Sequence, residues 1–168
     1  PSTSLDVVYI VTASVGTTPT VCTASFTITV TVNPEPLIAD VTQVICSTDT
    51  FTFTPTNMLP DVVPTGTTYT WSVSAPAGVT GASNQTTPQT SISPTPINTN
   101  ATPQDVVYTV TASVGTAPTI CTDSFSITVT VNPNPQIAAV TQSICSAETF
   151  TVTPANTAPD VVPTGTTY

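Results

Sequence analysis

The sequence predicts an all-β protein built from β-sandwich domains in tandem, and three observations predict it. Residues Asp6–Tyr69 return at Asp105–Tyr168, offset by 99 positions, with about three-quarters of the aligned residues identical and no gap. A period of that length is a whole small domain, not one turn of a solenoid. Within it, Phe26-Thr-Ile-Thr-Val-Thr-Val32 alternates apolar and hydroxyl side chains without a break, and Phe125–Val131 does so again. Strict alternation is the mark of a strand with one face on a core and one in water. Finally, Thr makes up about a quarter of the chain and 18 prolines are scattered through it, a composition that favours strands and breaks helices.

Taken in order, Tyr9, Val11, Ala13 and Val15 share one face of a first strand, and Phe26, Ile28, Val30 and Val32 share one face of a second. The turn Gly16-Thr-Thr-Pro19 between them makes a hairpin. Strands at Asp105–Val114 and Ser124–Val131, joined through Gly115-Thr-Ala-Pro118, repeat it. The change of Ile10 to Thr109 between copies fits an outward position. Between the hairpins, strands are expected at Ile38–Ile45, Thr50–Pro55, Thr67–Ser74 and Thr90–Ser93, with a further short one around Gly78–Gly81. Gly81–Gln89 and Pro94–Gln104 read as loops, and Asn84-Gln-Thr86 and Asn100-Ala-Thr102 within them fit the N-glycosylation pattern. Tyr69 and Trp71 fall on the strand where a sandwich places its large core aromatics.

The repeat divides the chain into the end of one unit at 1–34, a complete unit at 35–133 and the start of a third at 134–168. This reads as a window on a longer polypeptide. Were 168 residues a true subunit, the terminal half-units would instead complete each other head to tail, as donor strands do. The joints Asn33-Pro34-Glu35-Pro36 and Asn132-Pro133-Asn134-Pro135 alternate prolines, which fix φ and make short, semi-rigid spacers. Successive copies of the unit would then stand in a stiff rod. One pair of cysteines falls in each period: Cys22, Cys46, Cys121 and Cys145. In a chain without His they suggest disulfides and an oxidising location. Two schemes are open: Cys46 with Cys121 inside the complete unit, or Cys22 with Cys46 and Cys121 with Cys145 across the joints.

Charge excludes more than it suggests. The chain holds nine acidic residues and no Lys, Arg or His. Without cations it cannot neutralise nucleic-acid phosphates, and without His or Lys it lacks the base of a hydrolytic triad or a Schiff-base amine. No enzyme, no catalytic residue and no resident cofactor are expected. Calcium is the one metal the acids raise, but Asp6, Glu35, Asp40, Asp49 and Asp61 are scattered where a calcium loop clusters its ligands. With no salt bridge to break, moderate acid is expected to leave the fold unchanged or to stabilise it by relieving repulsion. No apolar run reaches the ~18–20 residues of a membrane span, no signal peptide is visible, and membrane insertion is not expected.

The segments Ile45-Cys-Ser47, Val63-Pro-Thr-Gly-Thr-Thr-Tyr-Thr-Trp71, Ser91-Ile-Ser93, Val107–Thr111 and Thr128–Pro133 together resemble the PKD-like, immunoglobulin-like repeats of secreted Bacteroidota surface proteins. Those proteins include long gliding-motility adhesins exported by the type IX pathway. One departure is visible: the family's Cys-Ser-Gly is Cys-Ser-Thr at Thr48 and Cys-Ser-Ala at Ala147. The resemblance implies an immunoglobulin-like sandwich, an extracellular bacterial surface location and a structural or adhesive role. It also implies the Cys46–Cys121 pairing, with Cys22 and Cys145 bonded outside these residues. The function expected is that of a filament or stalk repeat whose partners are further copies of itself. The alternative is a module whose loops bind glycans or surfaces.

Overall fold

The computed structural model describes residues 2–168, and among them every regular element is a strand. A first hairpin, β1 (Leu5–Thr17) and β2 (Thr20–Val32), stands at the N-terminal end. The complete unit follows with β3 (Val41–Cys46), β4 (Thr68–Ser74), β5 (Val79–Thr80), β6 (Gln85–Gln89), β7 (Ile97–Asn98), β8 (Gln104–Thr116) and β9 (Thr119–Asn132). Five of these form one sheet in the order β3-β9-β8-β4-β6, and β5 pairs with β7. All neighbours are antiparallel except β3, which runs parallel to β9 with Val41 opposite Ile127 and Cys46 opposite Asn132. The architecture is the all-β, sandwich-like arrangement the sequence predicts.

The alternation of β9 does what its pattern requires. Phe125, Ile127, Val129 and Val131 are all at most 4 % exposed and meet Val106, Tyr108, Val110 and Ala112 of β8, all fully buried. Each Val, Ile or Phe among them removed from water contributes about 1.5–3 kcal/mol. Tyr69 packs edge-on to Phe125 at 6.5 Å, Phe53 does so at 6.1 Å, and Phe51 lies tilted on Tyr108 at 5.7 Å. Thr109 is exposed, as its interchange with Ile10 suggests.

The opposing layer differs from the expected second sheet. The stretches read as strands at Thr50–Pro55 and Thr90–Ser93 touch only through the single bridge Phe53–Ile92, and Leu37–Val62 is a second such bridge. Pro55, Pro60, Pro64, Pro94 and Pro96 punctuate this layer and remove the donors a continuous ladder needs. Its apolar residues still reach the core: Ile38, Phe51 and Ile92 are buried. Two segments read as loops carry strands: β6 lies within Gly81–Gln89, and β7 and the start of β8 lie within Pro94–Gln104.

The partial units use the same local rules. In β1–β2 the face matching the buried face of β8–β9 is open, with Phe26 51 % and Ile28 46 % exposed. In the complete unit that face is covered by residues between Pro36 and Asn98. Residues 134–168 repeat the loop layer, with the bridge Gln136–Val161 standing where Leu37–Val62 stands.

Candidate functional site at the joints between units

The ends of the units hold the features that no core requirement explains. At the joint between the first hairpin and the complete unit, Ser4 Oγ donates to Asn33 Oδ1 at 2.9 Å, and Asn57 Nδ2 reaches back to Ser2 Oγ at 2.8 Å. An open cleft of about 640 Å³ runs between Asn33 and Pro34 on one side and Gly66, Val114 and Thr119 on the other. Beside it a second cleft is lined by Val32, Asn33, Pro34, Pro36 and, from β9, Asp123. At the following joint Asn134 Nδ2 donates to Ser47 O at 2.7 Å. Of the four joint prolines, Pro36 is fully buried, Pro133 is buried, Pro34 is partly buried and Pro135 is exposed.

A buried polar network secures the end of the complete unit that faces the second joint. Asn98 Nδ2 donates to Val131 O at 2.8 Å and to Thr102 O at 2.9 Å, while its Oδ1 accepts from Asn100 N. Asn98 N donates to Ser47 Oγ at 2.9 Å, and that hydroxyl donates to Asn98 O at 3.3 Å. Every polar group of the pair has a partner, so the network stiffens the strand ends instead of weakening them. Sequence reasoning missed Asn98. Its equivalents one period away fall outside the chain, so internal comparison offered no signal.

The scattered carboxylates have local work that the sequence reading did not foresee. Asp61 Oδ1 accepts from Ala39 N at 3.0 Å, and Asp160 repeats this with Ala138 N at 2.8 Å. Asp49 accepts from Cys46 N at 3.3 Å, and Glu148 from Cys145 N at 2.9 Å. Asp6 accepts from Thr31 Oγ1 at 2.7 Å, and Asp105 from Thr130 Oγ1 at 2.6 Å. Asp40 Oδ1 accepts from Ser126 N at 2.7 Å, and this backbone hydrogen bond holds its pKa below the ordinary value of 3.8. To the expectation that moderate acid breaks no ion pair the structure adds one acid-sensitive contact, the Asp40 cap on the Ser126 backbone donor. Among the described residues no three acids or cysteines gather as a metal-ligating group.

The cysteines require a second correction. All four are free, with Cys121 partly buried and the others exposed. β3 does lie beside β9, but the pairing is parallel. Cys46 stands opposite Asn132, eleven residues beyond Cys121 on the same strand. At about 3.3 Å per residue that is roughly 36 Å, far outside the ~7 Å Cα limit of a disulfide. Thr48 and Ala147, just beyond the β3 cysteine and its copy, have φ of 75° and 71°. These are the positions where the resembled repeats have Gly, which takes that backbone freely.

Of the predicted core aromatics, Tyr69 is 2 % exposed and central. Trp71 packs only partly on the core, its indole N–H donates to Ser83 O at 3.1 Å, and its ring borders two shallow clefts with Gln85. Asn84 Oδ1 accepts from Val73 N, whereas Asn100 Nδ2 is taken up by Ala77 O at 3.0 Å. A glycan at Asn100 would displace that bond. Tyr108 is the one buried side chain whose polar atom has no partner among the described residues, and burial pushes its hydroxyl pKa up to about 12.

No helix of the described residues is long and apolar enough to cross a membrane. No curated protein and no solved structure matches the chain significantly. A family model does match, covering residues 43–135, from β3 through the core hairpin to the second joint. The PKD-like domain it describes is a non-catalytic, immunoglobulin-like module typical of extracellular proteins. By that match, which takes in more than half of its length, the chain belongs to the PKD-like domain family.

Proposed function

We propose that the chain is a structural repeat of an extracellular filament or stalk of a large bacterial cell-surface adhesin, where it supplies length and stiffness and catalyses nothing. The observation that carries this reading is the joint. Units meet through short proline-alternating segments in which Pro36 and Pro133 are buried and Asn134 is tied to Ser47 O. A flexible tether would be rich in Gly and Ser and free of such contacts. The Bacteroidota surface setting, with gliding motility and type IX export, rests on the resemblance of the repeat segments. Further copies of the unit are the partners in this reading, and neither calcium nor another cofactor has a part in it. Small-angle scattering on chains with increasing numbers of units tests it. A maximum dimension that rises linearly with unit number supports a stalk, and growth near the square root of that number would overturn it.

A second reading is favoured by Trp71. A half-covered indole beside Gln85 and Gln89, with hydroxyl side chains around it, is the kind of surface on which a sugar ring stacks. In that reading each unit is a glycan-binding module. Glycan-array binding that is lost in Trp71→Ala while the fold persists would promote it over the stalk.

A further inference from the structure

We propose that the β3 cysteine of one unit and the β9 cysteine of the unit that follows it form a disulfide, so that successive units are stapled across each joint. This goes beyond the stalk reading and does not depend on it, since an array of binding modules would be stapled in the same way.

The argument is one of register. Cys46 ends β3 directly opposite Asn132, one strand spacing away, or about 4.8 Å. Asn33 is the residue of the first hairpin that corresponds to Asn132 through the repeat. Cys121 lies opposite Val114 and two residues before Asp123 on the same face of β9. Val114 lines a cleft together with Asn33, and Asp123 lines the neighbouring cleft together with Val32 and Asn33. Both flanks of Cys121 therefore face the strand end beside which a Cys46-type residue of the preceding unit stands. Cys46 is exposed and Cys121 is only partly covered, so both sulfurs are reachable.

The two schemes read from the sequence both fail on the same geometry. Cys46 and Cys121 of one unit lie at opposite ends of β9. Cys22 lies opposite Val15 near the tip of β1–β2, eleven residues before Asn33, while Cys46 lies at the far end of the next unit. The staple joins the near ends of consecutive units, where either alternative would have to span whole domains.

The chemistry is an oxidation of two thiols. One S–S bond forms, two S–H bonds break, and two protons and two electrons pass to a protein disulfide of the thiol–disulfide exchange class, which leaves as a dithiol.

Thiol counting with peptide mapping tests the proposal in two chains treated with an oxidised thiol–disulfide oxidoreductase and checked for β-structure by circular dichroism. In the 168-residue chain at low concentration, no two of the four cysteines are partners under this scheme. Four thiols should remain, whereas the intra-unit scheme leaves two and the scheme pairing Cys22–Cys46 and Cys121–Cys145 leaves none. In a chain with residues 35–133 present twice in succession, one disulfide should join Cys46 of the first complete unit to Cys121 of the second. Cys46→Ser in the first of these units should abolish it, and the same change in the second should leave it in place. An oxidised tandem chain that keeps all its thiols, or any bridge within one unit, overturns the proposal.

Discussion

At the scale of single residues, two polar groups, one on β8 and one just before β3, behave in opposite ways. The Tyr108 hydroxyl is fully buried and unpartnered. A buried hydroxyl without a hydrogen bond carries a desolvation cost of about 1–3 kcal/mol that the ring's packing must offset. Tyr108→Phe should therefore leave stability unchanged or raise it by up to about 1 kcal/mol in urea unfolding; a clear loss would mean that the hydroxyl has a partner. Asp40, by contrast, is useful because it is ionised. Its carboxylate accepts from Ser126 N on β9, and the folded state holds its pKa below 3.8. A group with a depressed folded pKa contributes stability above its unfolded value and loses that contribution as pH falls through the folded one. Asp40→Ala should thus melt below the parent at about pH 7, and the gap should close as the pH falls through the depressed pKa of the folded state, below 3.8. A gap that stays constant across that range would refute the cap. In the third unit the position is Ala139, so this cap belongs to the complete unit and not to every copy.

At the scale of elements, the turn that ends β3 carries the clearest strain. Thr48 has φ of 75°, and a β-branched residue in the left-handed region is a genuine outlier. Its amide still donates to Pro96 O at 3.2 Å, and Asp49 caps Cys46 N across the same turn. Thr48→Gly should relieve the strain and stabilise the unit by about 1 kcal/mol, read from the shift in denaturation midpoint. A destabilised variant would show that the Thr side chain itself holds the turn. What was legible at this scale followed pattern strength. β8 and β9 alternate over their central residues, and their facing was plain. β6 is Gln-Thr-Thr-Pro-Gln, with no apolar face and a proline inside, so nothing local marks it as a strand. It is one because β4 offers it a free edge. Phe51-Thr-Phe53 alternates convincingly, yet its backbone finds only one bridge because the layer around it is cut by prolines.

At the scale of the whole molecule, the proline segments connect one repeat to the next. Pro133 is packed and Asn134 bonds back to Ser47 O across 87 residues of sequence. Replacing Pro133 and Pro135 together by Gly should lower the unit's melting temperature modestly, because Pro133 is buried, and should lower the maximum dimension of a multi-unit chain in small-angle scattering. If that dimension is unaffected, stiffness comes from face-to-face contact of the domains and not from the proline segments.

The sequence by itself determined the all-β class, the domain-sized period, the inward face of each long strand, the core aromatic Tyr69 and the want of any cation. Each is a property of local pattern or composition, and local pattern is set by side-chain period and backbone sterics. Only the tertiary structure decided the direction in which β3 meets β9, and with it which cysteines can meet. A parallel and an antiparallel pairing use the same residues with the same alternation, so no one-dimensional signal separates them. That one choice of direction moves Cys46 from the neighbourhood of Cys121 to the far end of the unit, where the next one begins.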